Sequence, residues 1–459
     1  MAGKSFPLTP RNVPKVKTKN RCIRTAIPVP ESLPILKDLR KYEPLSMTGQ
    51  PLVVWDKAKG CHVYDKWGNM WLDWSSGVLV ANAGHGRKEI VDAIIKQARK
   101  PMLHNYCFPS EIRAQLAKKL VEISPAKHKK AFLLTTGAES TECALKLMRT
   151  HGQAVGGKKK IGIVSFNRAF HGRSLGSQMI GGSPALKDWI VNLDKDMWQV
   201  PFPDGYWVED RSFDLFLASL KKQKVTPSRI AGVIVETYQG GNASFAPKKY
   251  MKQLAAWCRK HKIVLTLDEV QAGFGRTGKL FGYENYGILP DLVCCGKGIS
   301  SSMPISAVIG TKKLMDQYPP GSMTSTHTGN PLCAAASLAS IDILLKEKLH
   351  DRAAKLGKVL LKKLKAIQKK YPSRVGDVQG LGLVYALHIV KPARKKIADP
   401  DFATDIVKRC VEKGLLFFSP VGDCCVKISP PLIISREQIL EGCRVLDEAI
   451  GEAIAESRS

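Results

Sequence analysis

An acid and a lysine each stand directly after an apolar run. Residues 263–267 lead into Asp268-Glu269-Val270-Gln271, and residues 292–295 lead into Gly296-Lys297-Gly298. Two acids at the end of a buried strand are costly without a cationic partner, so they mark either a structural ion pair or a site. A lysine at such a strand end is partly desolvated, which lowers its pKa and makes it a candidate nucleophilic amine. A third run, 131–134, ends in Thr135-Thr136-Gly137-Ala138-Glu139, which opens a helical pattern. A small-residue turn at a helix N-terminus offers free N–H groups to a phosphate, although many helices open with Thr-Gly for capping alone. A fourth, 161–166, is followed by Phe170-His171-Gly172-Arg173, an aromatic ring, an imidazole and a guanidinium together. Gly273-Phe274-Gly275-Arg276-Thr277-Gly278 fits the dinucleotide fingerprint but does not directly follow its strand. Asp291 precedes the next strand, where the ribose-binding acid should close it.

The elements that must carry these residues are apolar runs alternating with helical segments. The runs 131–134, 161–166, 233–235, 263–267 and 292–295 are almost continuously apolar, as strands buried on both faces should be. Their alternation with helices predicts an α/β fold with a mostly parallel sheet sandwiched by helices, whose ligands bind beyond the carboxyl ends of the strands. From about residue 336 a long helical stretch, a strand at 384–390, a further helix and strands near Leu415 and Val426 read as a smaller α+β domain. The expected division is an N-terminal arm at 1–65 packing with the small domain, a large domain at 66–335 and a small domain at 336–459. The first 50 residues read as Pro-rich and irregular, with β-like segments at 53–55, 63–64 and 71–72.

The 459 residues are 44% hydrophobic and 24% charged, the balance of a globular protein with a sizeable core. No stretch approaches the roughly 20 apolar residues a membrane helix needs, so no membrane partner is expected. The 71 lysines and arginines against 40 acids give +31. The densest basic run, Lys355 to Lys370, interleaves with Leu356, Leu360, Leu364 and Ile367 at helical spacing and reads as the solvated face of a helix. With no RNA- or DNA-binding signature, nucleic acid is not expected as a partner. Twelve cysteines without C-x-x-C, and histidines without zinc spacing, predict reduced core thiols, no metal and a cytoplasmic setting.

A phosphate cup, an aromatic plate, a strand-end acid and a strand-end lysine are together what pyridoxal 5'-phosphate requires. Its aldehyde takes a lysine as a Schiff base, and a carboxylate keeps its pyridine nitrogen protonated, so that the ring serves as an electron sink. At this point the sequence resembles the class III aminotransferases of PLP fold type I, the group that contains ornithine and 4-aminobutyrate aminotransferases. The likeness runs from Trp55 to Glu452. It is carried by Leu267 to Gly278, by Gly296-Lys297-Gly298 after Pro290-Asp291, and by Gly137-Ala138-Glu139. Ser76-Gly77 with Gly84-His85, and Gly329-Asn330-Pro331-Leu332, also match. The resemblance implies Lys297 as the Schiff-base lysine and proton shuttle, and Asp268 as partner of the pyridinium. It implies Gln271 at the phenolic oxygen, Val270 and Phe170 on the two ring faces, and Gly137 and Ala138 at the phosphate. Thr326 would reach the same phosphate from a partner subunit, which implies a homodimer with shared sites, able to pair into a tetramer.

The sequence departs from the family where substrate specificity is set. The usual glutamate after Gln-Gly is replaced by Gly241 in Val235-Glu236-Thr237-Tyr238-Gln239-Gly240-Gly241. The arginine before Pro-Pro-Leu is replaced by Lys427, a point charge that cannot grip a carboxylate bidentately. Arg173, similar to the family's ω-carboxylate arginine, is retained, and Val78 stands where ornithine-type enzymes have tyrosine. The resemblance thus implies transfer of an amino group from an amino acid or ω-amino donor to a 2-oxo acid, by ping-pong through pyridoxamine phosphate. The alternatives are an amino-acid racemase or epimerase on the same fold and a non-enzymatic anion-binding protein.

Overall fold

The computed structural model describes residues 6–392, 394–422 and 424–457. It divides into two compact units, Lys88–His350 and Met1–Arg87 with Asp351–Ser459. The boundaries expected at 66 and 336 therefore fall at 88 and 351. The physical reason is strand pairing at one end: Met70–Asp73 pairs with Cys22–Ile23, His62–Tyr64 and Leu415–Leu416. At the other end, helix Pro331–Lys346 packs on helices Lys88–Ala98 and Glu111–Glu122.

The unit Lys88–His350 is built on a seven-stranded sheet. Its strands in chain order are β1 (Lys130–Leu134), β2 (Gly162–Phe166), β3 (Met197–Val200), β4 (Ile230–Glu236), β5 (Val264–Asp268), β6 (Leu292–Cys295) and β7 (Ser306–Gly310). They lie in the order β1-β7-β6-β5-β4-β2-β3. The contiguous block from β6 to β3 is parallel, and β7 runs antiparallel to both β6 and β1. Five of these strands are those the apolar runs predict. The sequence reading missed β3, which is half-buried, and β7.

Burial on both faces follows from the alternation of side chains along each strand. Ile163, Ile234, Val264, Leu292, Cys294 and Val308 share one core with Ala144, Leu145, Leu147 and Met148 of helix α1 (Gly137–Gly156). On β2, Phe166 alternates with these and joins an aromatic cluster with Phe202 and with Phe213 and Phe216. Phe213 is edge-on to Tyr250 of helix α2 (Lys248–Lys260). Two layers of helix thus fix the strand ends from above and below.

The other unit has a six-stranded sheet containing Met70–Asp73 and a four-stranded sheet containing Val384–Lys391 and Cys425–Ile428. Residues 1–50 are not wholly irregular, since Leu33–Tyr42 is helical and Val16–Lys17 pairs with Cys22–Ile23. The β-like segment expected at 53–55 is not a strand, and Lys57–Lys59 is. In helix Leu349–Lys370, Leu356, Leu360, Leu364 and Ile367 are buried, and the seven lysines from Lys355 to Lys370 are exposed.

Candidate active site

The candidate site assembles where β4, β5 and β6 end beside the start of α1. Thr136 caps that helix: its hydroxyl accepts from Glu139 N–H at 3.2 Å, while the Glu139 carboxylate accepts from Thr136 N–H at 2.7 Å. This capping box is worth about 1 kcal/mol and settles where the helix begins. The first N–H groups, Gly137 and Ala138 among them, have no intrahelical acceptor and point outward with the positive end of the helix dipole.

Glycine clears the space in front of them. A Cβ on Gly137 would stand 2.8 Å from Val270 Cγ1, and one on Gly296 would stand 3.1 Å from the same atom. Val270, Gly137 and Gly296 therefore converge, and the residue after Gly296 is Lys297. Lys297 has a φ of +43°, a left-handed backbone that a side chain rarely adopts and that redirects the chain at the strand end. Burial pushes its amine below the usual pKa, against the opposing charges of Asp268 and Glu236.

Asp268, 6% exposed, ends β5. Its Oδ2 lies 2.8 Å from His171 Nδ1, and its Oδ1 accepts from Val270 N–H at 3.0 Å. His171 is buried, which works against a charged ring, but the bond and charge of Asp268, with Glu236, carry its pKa above the ordinary value. The strand-end acid thus has a buried imidazole as partner, and the carboxylate is fixed at both oxygens. The neighbouring Glu269 faces away into a separate network, accepting from Thr237 Oγ1, Gly282 N–H (2.7 Å) and Tyr283 N–H (2.8 Å).

Phe170, beside His171, is 39% exposed, and the Arg173 guanidinium lies 5.7 Å from its ring centroid. Gln271 reaches the turn after β4: a Cβ on Gly240 would stand 2.3 Å from its Nε2. Gly241 is half-buried in that same turn, which Gln239 N–H and Ser244 C=O close at 2.9 Å. Gly137, Ala138, Phe170, Asp268, Val270, Gln271 and Lys297 are therefore drawn to one end of one sheet, with Arg173 and Gly241 on neighbouring loops. Thr326 is exposed on the wall of an open groove shared with Thr135, Glu139 and Lys146.

Val78 and Lys427 belong to the other unit. Lys427 is buried on strand Cys425–Ile428, opposite Ala386. Val78 is 44% exposed in a turn where Ser76, Gly77, Val78 and Leu79 all have positive φ, between +52° and +65°. Leu79 N–H to Ser75 C=O and Val80 N–H to Ser76 C=O, both 2.9 Å, make it a single left-handed helical turn. It is anchored by Asp73, whose Oδ1 accepts from Ser75 N–H and Oγ and whose Oδ2 meets His85 Nε2 at 2.7 Å. Ser76 Oγ also donates to Ser429 C=O at 2.6 Å.

Sequence reasoning left three features unassigned: His171 beneath Asp268, this left-handed turn, and Glu236. Glu236 was legible, because it closes the apolar strand β4 just as Asp268 closes β5.

The residues present fit pyridoxal 5'-phosphate. A glycine-cleared face over Val270, an open helix N-terminus, an aromatic ring, a doubly held strand-end carboxylate and a desolvated lysine are the donor set it needs. The chain matches the family described as Aminotransferase class-III over residues 46–450. It is 32% identical over 414 residues to a probable 4-aminobutyrate aminotransferase of Bacillus subtilis (strain 168), covering 86% of this chain and 92% of that one. It is 31% identical over 410 residues to an isoleucine 2-epimerase of Lentilactobacillus buchneri, covering 86% and 89%. The structure of a Bacillus anthracis aminotransferase superposes with a TM-score of 0.83 at 28% identity, over 92% of this chain and 99% of that one. Fold, site and relatives agree: the chain belongs to the class III aminotransferases, PLP-dependent enzymes of fold type I.

Proposed function

We propose that the chain moves an amino group from an ω-amino or other amino-acid donor to a 2-oxo acid by ping-pong exchange, with Lys297 as the proton-transferring amine. The observation that carries this reading is the pairing of a desolvated Lys297 with a clamped Asp268 at adjacent strand ends. When bound, pyridoxal 5'-phosphate supplies the electron sink that stabilises negative charge at the substrate's Cα.

Lys297 Nζ would hold the cofactor and would carry the proton between the substrate's Cα and the cofactor's C4′. Burial lowers the lysine's pKa, which favours the neutral amine that a base needs. Asp268, held by His171 and Val270 N–H, would pair with the ring nitrogen without needing to reorganise. Phe170 and Val270 cover the two ring faces, Gln271 serves the phenolic oxygen, and the N–H groups of Gly137 and Ala138 take the phosphate. Thr326 serves that phosphate in a partner subunit, so the working form is a homodimer. Arg173 receives the donor's distal carboxylate. Lys427 and Gly241, in place of the arginine and its gate acid, loosen the grip on the α-carboxylate. Val78 offers a distal ammonium nothing to bond. Twelve free cysteines fit a reducing, cytoplasmic compartment.

A second reading, racemisation or epimerisation at Cα, is favoured by the likeness to the isoleucine 2-epimerase and by that same loosened carboxylate grip. Mixing the PLP-loaded protein with 4-aminobutyrate, β-alanine or either alanine enantiomer, without oxo acid, separates the two. Stoichiometric carbonyl product establishes transamination and names a donor class. Alanine changing hand with no carbonyl product establishes the second reading and overturns the first.

A further inference from the structure

Glu236 is fully buried at the end of β4, yet the chemistry proposed above gives it nothing to do. Its two carboxylate oxygens have separate tasks. Oε2 accepts from Phe170 N–H at 3.0 Å, and Oε1 accepts from Gly240 N–H at 2.8 Å. Those donors sit on two different loops, one following β2 and carrying Phe170, His171 and Arg173, the other following β4 and carrying Gly241. A Cβ on Gly240 would stand 2.9 Å from Glu236 Oε1 and 2.3 Å from Gln271 Nε2. The second loop is therefore packed with no slack between the glutamate and the loop after β5.

The same short segment is tied to β5 by its next two residues. Thr237 donates its hydroxyl to Glu269, and the Tyr238 hydroxyl donates to Gln271 C=O at 3.3 Å. Burying a carboxyl this deeply costs several kcal/mol unless both oxygens are satisfied, so the loops and the acid need one another.

We propose that Glu236 is a positioning residue that couples the loop bearing Phe170 to the turn bearing Gly241, so that the cofactor-facing aromatic ring and the substrate-facing turn hold one fixed separation. Glu236 touches neither cofactor nor substrate; it acts through Phe170 N–H on one side and Gly240 N–H on the other. The inference rests on the assignment of Phe170 to the cofactor ring face.

A double-mutant cycle tests it on the full-length protein. PLP dissociation constants and the visible circular dichroism of the bound cofactor are measured for wild type, Glu236→Gln, Phe170→Ala and the double variant. Glu236→Gln keeps the shape but turns an NH₂ toward one of the two backbone donors. It should weaken PLP by roughly tenfold and change the dichroic band, and the donor KM should rise more than kcat falls. If Glu236 works through Phe170, the Gln substitution adds little once the ring is gone. Full additivity overturns the coupling, as does a Gln variant with wild-type PLP affinity and dichroism. Phe170→Ala binding PLP like wild type would instead show that the ring assignment itself is wrong. A urea midpoint for each variant separates loss of positioning from loss of fold, and Glu236→Asp, which shortens the reach to both donors, should not rescue.

Discussion

Two regions of the molecule place side chains for chemistry by opposite means. The strands β4, β5 and β6 are regular up to their last residues, and the acids that end β4 and β5 are each fixed from more than one side. Asp268 has His171 and Val270 N–H, and Glu236 has two backbone donors. The turn presenting Val78 has four successive left-handed residues, three of them not glycine, held together by Asp73, Ser75 and Ser429. Left-handed backbone costs about 1–2 kcal/mol per non-glycine residue, so this turn exists only because its anchors hold it. On the proposed function the reaction rests on rigid strand ends, where a small displacement is expensive. Val78 stands in a strained, solvent-facing turn, where a side chain can change without disturbing the sheet.

The comparison breaks most sharply at Lys297. Lys297→Ala should lower turnover by at least about 10⁴-fold while leaving stability within about 1 kcal/mol of wild type, since the loss of its packed methylenes is offset by removal of a desolvated amine. Retained turnover would remove the amine from the mechanism. Next in size is Asp268→Asn, expected to cost about 10²–10³-fold in kcat. An amide can still bond His171 Nδ1, but it puts no negative charge under the ring nitrogen. If single-turnover rates stay at wild-type level, the electrostatic role of Asp268 is wrong.

This division also explains what the sequence could disclose. Asp268, Lys297 and Gly137 were legible because each follows a continuously apolar run, and a strand buried on both faces can be read from composition alone. Strand β7 escaped because Ser306 and Ala307 blunt its apolar run, and β3 because Met197, Trp198 and Gln199 are only half-buried. His171 stood in plain sight, but its bond to Asp268 spans 97 residues of chain and has no local signature. The left-handed turn was illegible for a stronger reason. Ser-Gly-Val-Leu carries only one residue that favours positive φ, and the carbonyl that accepts from Ser76 Oγ and pins it belongs to Ser429, 353 residues away.

Stability against pH gives a further test at the strand ends, where Glu236 is buried. Burial raises the Glu236 carboxyl from 4.5 to about 7, with Asp268 adding to the rise and His171 and the two N–H donors opposing it. In the unfolded chain it ionises near its ordinary value. Between about pH 4.5 and 7 the folded state thus binds more protons than the unfolded state. Its contribution is complete below about 4.5 and is lost as pH rises through about 7, at up to about 1.4 kcal/mol per pH unit. The urea midpoint of the cofactor-free protein should therefore carry a falling component over that window, and Glu236→Gln should flatten it. An unchanged slope in the Gln variant would mean that Glu236 stays ionised. A smaller effect is expected at Lys427, whose strand position is closed in. Lys427→Arg should improve use of a dicarboxylic acceptor through bidentate contact, while overpacking destabilises the fold by about 1–3 kcal/mol. No change in acceptor preference would separate Lys427 from the α-carboxylate.

Val78→Gly is the mildest test and addresses the strained turn directly. Glycine adopts φ near +63° freely, which relieves about 1–2 kcal/mol of β-branched strain, but it also frees the unfolded chain by about 0.4–1 kcal/mol. The two terms leave a net gain of between about 0 and 1.6 kcal/mol, read as a higher urea midpoint. With 44% of its surface exposed, Val78 has little packing to lose. The donor profile should broaden toward bulkier amines while kcat with the best donor stays within about threefold, because the strand ends are untouched. A loss of stability greater than about 1 kcal/mol would show that the isopropyl group holds the turn together. A collapse of kcat would show that the turn shares in positioning for the chemistry, and the separation between rigid chemistry and strained selectivity would not stand.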